Sequence, residues 1–195
     1  MTSYIARTSS RSRERKMERN STRRLGFSLF ETLVTLVVLA ALVALVAPAL
    51  SQMAHRQRHQ ALLQTLQADL QQARSMALSG LAPVRLRLEQ FPDGSCYVVH
   101  RGPSGSCTCT EGGQAQCEPT GELLKTHWLP ASTRLRLEGS VKQLVFHPRF
   151  GTASTAGTFA ILGPDNSKAA LIVAITGRIR RCATAESGLG LPACL

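Results

Sequence analysis

Aromatic residues are scarce in this sequence, which holds one Trp, two Tyr and six Phe among 195 residues. Trp128 and Tyr97 are the clear candidates for stacking on bases, too few for a protein that threads single strands over a row of rings. Acidic residues are also few, 12 Asp and Glu against 23 Lys and Arg, for a formal net charge of +11. There is no Ser/His/Asp arrangement, no glycine-rich loop of the phosphate-cradling type and no carboxylate pair in an expected pocket, so catalysis and a cofactor are not expected. The five histidines are scattered. His55 and His59 have the i, i+4 spacing that can hold a metal on a helix, but no third ligand is near and they read as a solvated helix face. Cys107-Thr-Cys109 lacks the usual zinc spacing of two to four intervening residues, so no metal site is expected either.

What is present is sharply localised. Residues 1–26 carry seven Arg and one Lys against Glu14 and Glu18, a net +6, which leaves +5 for the other 169 positions. This leader is rich in Ser, Thr and Arg without apolar periodicity and reads as disordered. Residues 27–47 then form an apolar run whose one charge is Glu31. At about 1.5 Å per residue it is long enough to span a bilayer as a helix. The preceding basic segment predicts a cytoplasmic N-terminus and an exported C-terminal part. Cys96, Cys107, Cys109, Cys117, Cys182 and Cys194 all lie on the exported side, where an even count favours disulfides. A cleaved secretory signal competes with this reading, because Ala47 and Ala49 offer an A-x-A pattern that would release a disulfide-rich domain. The run is longer than the usual h-region of about 7–15 residues. Arg23-Arg24 suggests a twin-arginine signal, but the residues after it fit poorly. Neither alternative accounts for Glu31.

After Pro48 the pattern stays helical to about Ser79. Leu62, Leu66, Leu70, Ala73 and Ala77 fall on one face, and Gln64, Gln67, Gln71 and Arg74 on the other. One long helix bent near Pro48 is expected, stopping at Gly80 and Pro83. Period-two alternation follows in 84–89 and 133–138, where Arg and Glu face one way and Val or Leu the other. Residues 96–100, 141–147, 158–162 and 170–176 complete about six strands, and 102–121 reads as a loop tied down by cysteines. The expected class is α+β, a long N-terminal helix packed on an antiparallel β-sheet. The expected organisation is a leader 1–26, an apolar helix 27–47, its amphipathic continuation 48–80 and a β-rich domain 81–195.

The stretch "GFSLFETLVTLVVLAALVALVAP" resembles the N-terminus of type IV pilins and pseudopilins. That resemblance implies cleavage by a prepilin peptidase after Gly26, N-methylation of the new terminus Phe27, a glutamate at the fifth mature position (Glu31) and a helix-bending proline at Pro48. "LQADLQQARSMALSG", "VFHPRFGTASTAGTFAIL" and "LIVAITGRIRRC" resemble the helix end, the Phe-x-Pro-x-Gly stretch and the terminal strand of the minor pilins and pseudopilins called GspH or FimT. The long leader and the cysteine-rich stretch 96–117 depart from that pattern.

The resemblance implies roles. Glu31 would pair with the α-amino group of a neighbouring subunit's Phe27 as helices pack into a filament, two buried charges that each need the other. Gly177, Arg178, Arg180 and Arg181 match the Gly-Arg-x-Arg stretch implicated in DNA binding in FimT-like pilins. On a strand, Arg178 and Arg180 would share a face and engage phosphates, with Arg181 pointing away. Double-stranded DNA fits this better than base reading; a charged strand edge that discourages aggregation is the plain alternative. Arg85/Arg87 and Arg134/Arg136 are each followed by a Glu on the same face and read as structural. Cys182–Cys194 is the favoured disulfide, closing the tail just after Arg181; the other four cysteines can pair in three ways. The implied partners are other pilins or pseudopilins, the prepilin peptidase, an inner-membrane assembly platform, the membrane and duplex DNA. The implied location is the inner membrane, then a filament, and the open alternatives are a type IV pilus subunit that binds DNA and a type II secretion pseudopilin that does not.

Overall fold

The computed structural model describes residues 28–164, 167–184 and 187–194. The chain divides into two units, Met1–Leu45 and Val46–Leu195. Gly26 and Phe27 lie outside the described residues.

A single helix, α1 (Leu29–Gly80), runs for 52 residues. Ser28 starts it: its Oγ accepts the backbone N–H of Glu31 at 3.3 Å, and its carbonyl accepts that of Thr32. Ser28-x-x-Glu31 is thus the sequence of a capping box, with the carboxylate in the first turn, where it opposes the helix dipole. The helix continues through Pro48, whose ring nitrogen supplies no N–H to the helical ladder. The described part of the first unit exposes every side chain, among them Leu36, Val37 and Leu45. It belongs to a helix long and apolar enough to cross a membrane.

In the second unit the helix changes character. Leu62, Leu66, Leu70, Ala73 and Ala77 are all buried, as their spacing predicts. They enter one core with two four-stranded antiparallel sheets. The first sheet has the order β5-β2-β1-β7, from β1 (Val84–Phe91), β2 (Gly94–Arg101), β5 (Glu122–Pro130) and β7 (Gln143–Phe146). The second has the order β10-β9-β8-β6, from β6 (Arg136–Gly139), β8 (Gly157–Leu162), β9 (Lys168–Val173) and β10 (Ile179–Ala183). A two-stranded ribbon joins β3 (Cys107–Cys109) to β4 (Ala115–Cys117).

The α+β class is as expected, with two sheets and a ribbon where one sheet of about six strands was expected. Residues 133–138 do not form one strand. A 3₁₀ turn, Ala131–Thr133, ends at Arg134 with φ +57°, and the strand starts only at Arg136. The run 170–176 is shorter too, because a turn follows Val173. β5 was not expected: its residues are exposed or half-buried, except Leu129, in a pattern without period two. The stretch 102–121 is not all loop, since it holds the ribbon.

Candidate functional site

The Gly-Arg-x-Arg stretch sits on a hairpin. Gly177 N–H donates to the Ala174 carbonyl at 2.8 Å, and Ala174 N–H to the Arg178 carbonyl at 2.9 Å. Gly177 has φ +78°. This is a three-residue hairpin loop whose third residue needs the left-handed conformation, which glycine adopts without strain. Gly177 is required for a second reason: a Cβ there would run into the carbonyl oxygen of Gly151 and the guanidinium of Arg74.

Arg74 makes that junction. Its Nε donates to the Gly151 carbonyl at 2.9 Å and its Nη2 to the Thr176 carbonyl at 3.5 Å. One helix side chain therefore fixes two loops, 147–152 after β7 and 174–178 between β9 and β10. Arg74 was expected on the solvated helix face; it is half-buried, folded against the two loops whose carbonyls it bonds.

Beyond the turn, Arg180 opposes Ile172, and Arg181 opposes the buried Leu171. Arg180 thus lies on the sheet face away from the main core, and Arg181 on the core side of an edge strand. Arg178, Arg180 and Arg181 are all exposed. Among the described residues, the ion pairs are Arg87–Glu89, Arg101–Glu122 and Lys125–Asp69, so none of these three arginines has a carboxylate partner. Arg87–Glu89, at 2.6 Å, is the same-face pair expected on β1. Immediately after Arg181, Cys182 is bonded to Cys194, with Cα atoms 4.9 Å apart. The tail then returns beside β10, where Ala183 N–H donates to the Pro192 carbonyl at 2.9 Å.

The remaining cysteines form Cys96–Cys109 and Cys107–Cys117, which leaves no free thiol. Cys96, Val98, Cys107 and Cys109 make a small second core with Phe91 and Trp128 against it.

Three expected exposures are corrected. Tyr97 cannot serve as a stacking platform: it is fully buried, and its hydroxyl donates to Asp69 Oδ2 at 2.5 Å. Trp128 is half-buried, 6.1 Å from the Phe91 ring centre to centre. His59 is not on a solvated face: it is buried, with Nε2 3.1 Å from the Ile161 carbonyl. Burial holds His59 below the usual imidazole range, and the bond to Ile161 opposes that only in part. No cluster of metal-ligating side chains occurs among the described residues.

The family profile described as "Type II transport protein GspH" matches residues 62–177, more than half of the chain. The chain belongs to the GspH family. The match takes in the buried helix face, Arg74, both sheets up to the hairpin turn and Gly177. It stops one residue before Arg178, and Glu31 lies well ahead of it. The GspH match also covers the stretch after β7, which here reads Phe146-x-Pro148-x-x-Gly151, one residue longer than Phe-x-Pro-x-Gly.

Among solved structures, the chain is similar to the type IV minor pilin FimU of Pseudomonas aeruginosa, strain PAO1. The identity is 23%, with 67% of this chain and 95% of that one covered and a TM-score of 0.48. It is also similar to the minor pseudopilin EpsH from the Type 2 Secretion System of Vibrio cholerae, at 14% identity, with 62% and 92% covered and a TM-score of 0.42. No curated protein sequence matches. The GspH member described here is a pilin-like protein of the GspH/FimT type.

Proposed function

We propose that this chain is a FimT-like minor pilin of a type IV pilus system, and that it binds extracellular DNA for uptake through Arg178 and Arg180. One observation carries the DNA role: Arg178 at the end of the hairpin turn and Arg180 at the start of β10 are exposed and have no carboxylate partner among the described residues, between the Arg74 junction and the Cys182–Cys194 disulfide. Guanidinium groups presented this way suit phosphate oxygens, and phosphate contacts supply most non-specific DNA affinity. A prepilin peptidase cuts after Gly26, Phe27 becomes the methylated terminus, and residues 27–47 hold the subunit in the inner membrane with the β-rich domain in the periplasm. An assembly platform then extracts it into a filament among other pilins. There Glu31 pairs with the amino group of a neighbour's Phe27, and Pro48 bends the helix. The subunit is a substrate of the peptidase and carries out no catalysis of its own.

A GspH-like pseudopilin of type II secretion, with no nucleic-acid role, is the second reading, favoured by the description of the matching profile. Titration of the full chain in detergent with duplex DNA at two salt concentrations separates the two. Arg178→Gln with Arg180→Gln should flatten the log–log salt slope by roughly two; an unchanged affinity and slope removes the DNA role. Mass spectrometry of the mature N-terminus tests processing: methylated Phe27 is expected, and Leu50 would sink the pilin reading.

A further inference from the structure

Gly151 and Gly177 meet backbone to backbone under the Arg74 guanidinium. One residue from each point of that contact stands an exposed side chain: Phe150 on one loop and Arg178 on the other. Phe150 is 69% exposed, and Ile175, at the tip of the second loop, is 62% exposed. Tyr97, Phe146 and Phe159 are buried, and Phe91 and Trp128 are half-buried. Outside the apolar run 27–47, Phe150 is therefore the one exposed Phe, Tyr or Trp ring among the described residues, and the imidazole of His147 on the same loop is exposed too. It is flanked in sequence by Arg149, also exposed. From residue 139 to 184 the sequence carries six Lys and Arg but one acidic residue, Asp165.

A lone exposed aromatic usually needs no explanation. This ring differs in where it is held. The Arg74 bonds tie its loop to the arginine-bearing turn, so an apolar face and a set of guanidinium groups have a fixed relation. Phosphates need the second and an unpaired base needs the first. A paired base inside a duplex offers no open face to a side chain that approaches from the backbone, whereas a single strand offers one at every nucleotide.

We infer that Phe150 is a base-stacking residue, and that the site formed with Arg149 and Arg178 takes single-stranded nucleic acid in preference to duplex. This inference rests on the proposed DNA role and narrows its ligand. Arg74 is the positioning residue that holds the stacking face beside the phosphate-binding face.

The test compares labelled oligothymidylate with a duplex of the same length, titrated against the full chain in detergent. The wild-type chain binds the single strand more tightly. Phe150→Ala weakens that binding roughly 5- to 150-fold, the range of one lost base–aromatic stack. Phe150→Trp restores it, and neither change moves duplex binding appreciably. Arg178→Gln weakens both ligands. If Arg178→Gln weakens binding while Phe150→Ala leaves the single strand unaffected, the stacking inference is overturned and the DNA role stands. If the wild-type chain binds neither ligand, the DNA role is overturned and the inference with it. Phe150 is exposed, and an unchanged circular dichroism spectrum shows that the variants are folded.

Discussion

The buried carboxylate of Asp69 on α1 accepts a hydrogen bond from Tyr97 on β2 at 2.5 Å, while its other oxygen lies 2.5 Å from Lys125 Nζ on β5. The His127 ring stacks on Tyr97 with centres 5.3 Å apart. Helix and first sheet are thus joined by a polar pin beside their apolar contact. Asp69→Ala removes the acceptor from a buried hydroxyl and leaves Lys125, which is partly exposed, to turn to water. The expected loss is about 2–4 kcal/mol of folding stability, read by denaturant unfolding. Asp69→Asn, which keeps an acceptor, should cost less.

Tyr97 gives the domain an alkaline limit. Burial raises its hydroxyl well above the ordinary value, and the bond to Asp69 and its charge add to the shift. A raised pKa means that the folded state holds a proton the unfolded chain releases. The contribution is complete below about pH 10 and declines as the pH rises further. Stability measured between neutral pH and strong alkali should fall above that point, and Tyr97→Phe should remove most of the slope.

The histidines set the opposite limit. Desolvation lowers His59, His100 and His127 below the usual imidazole value. Arg85 and Arg87 push His100 further down, whereas Asp69 partly offsets the effect at His127. All three are held neutral in the folded chain, so their contribution is present above about pH 6.5 and is lost as the pH falls through the lowered values. Melting temperature should drop between pH 7 and pH 5, and replacing His59 with Gln should reduce that drop.

Gly177→Ala tests the hairpin. The left-handed φ is disfavoured for alanine, and its methyl would meet Gly151 and Arg74. A loss of about 2–4 kcal/mol is expected and, on the proposed DNA role, weaker DNA binding at temperatures where the variant is still folded. An alanine variant of unchanged stability would show that the two loops are not in fixed contact.

Cys182→Ser with Cys194→Ser opens a cross-link between residues 12 apart. A loss of about 2–3 kcal/mol is expected from loop-closure entropy. Because the bridge begins next to Arg181, the proposed DNA role predicts that the same variant binds DNA less tightly before it unfolds. Equal binding would separate the tail from the basic edge.

Periodic features were legible before any coordinates. The buried face from Leu62 to Ala77 and the alternation of β1 follow from repeat lengths that any water-facing surface imposes. Features that depend on remote partners were not. Arg74 has the spacing of a surface residue, and its burial is set by carbonyls 77 and 102 positions away. His59 is removed from solvent by Ile161, equally distant in sequence. β5 was hidden because an edge strand with one open side needs no alternation. Phe150 belongs to no periodic pattern, so nothing in its spacing marks its exposure. The pairing among four closely spaced cysteines depended on strand register, which puts Cys107 opposite Cys117.

That pairing gives the cysteine-rich stretch an interleaved connectivity. Cys96–Cys109 and Cys107–Cys117 interlock, each bridge enclosing one end of the other. A cut before Cys107 leaves its two ends joined through Cys96–Cys109, and a cut after Cys109 leaves them joined through Cys107–Cys117. Between those two residues both bridges span the break. Any single proteolytic nick from Cys96 to Cys117 therefore leaves one covalent molecule.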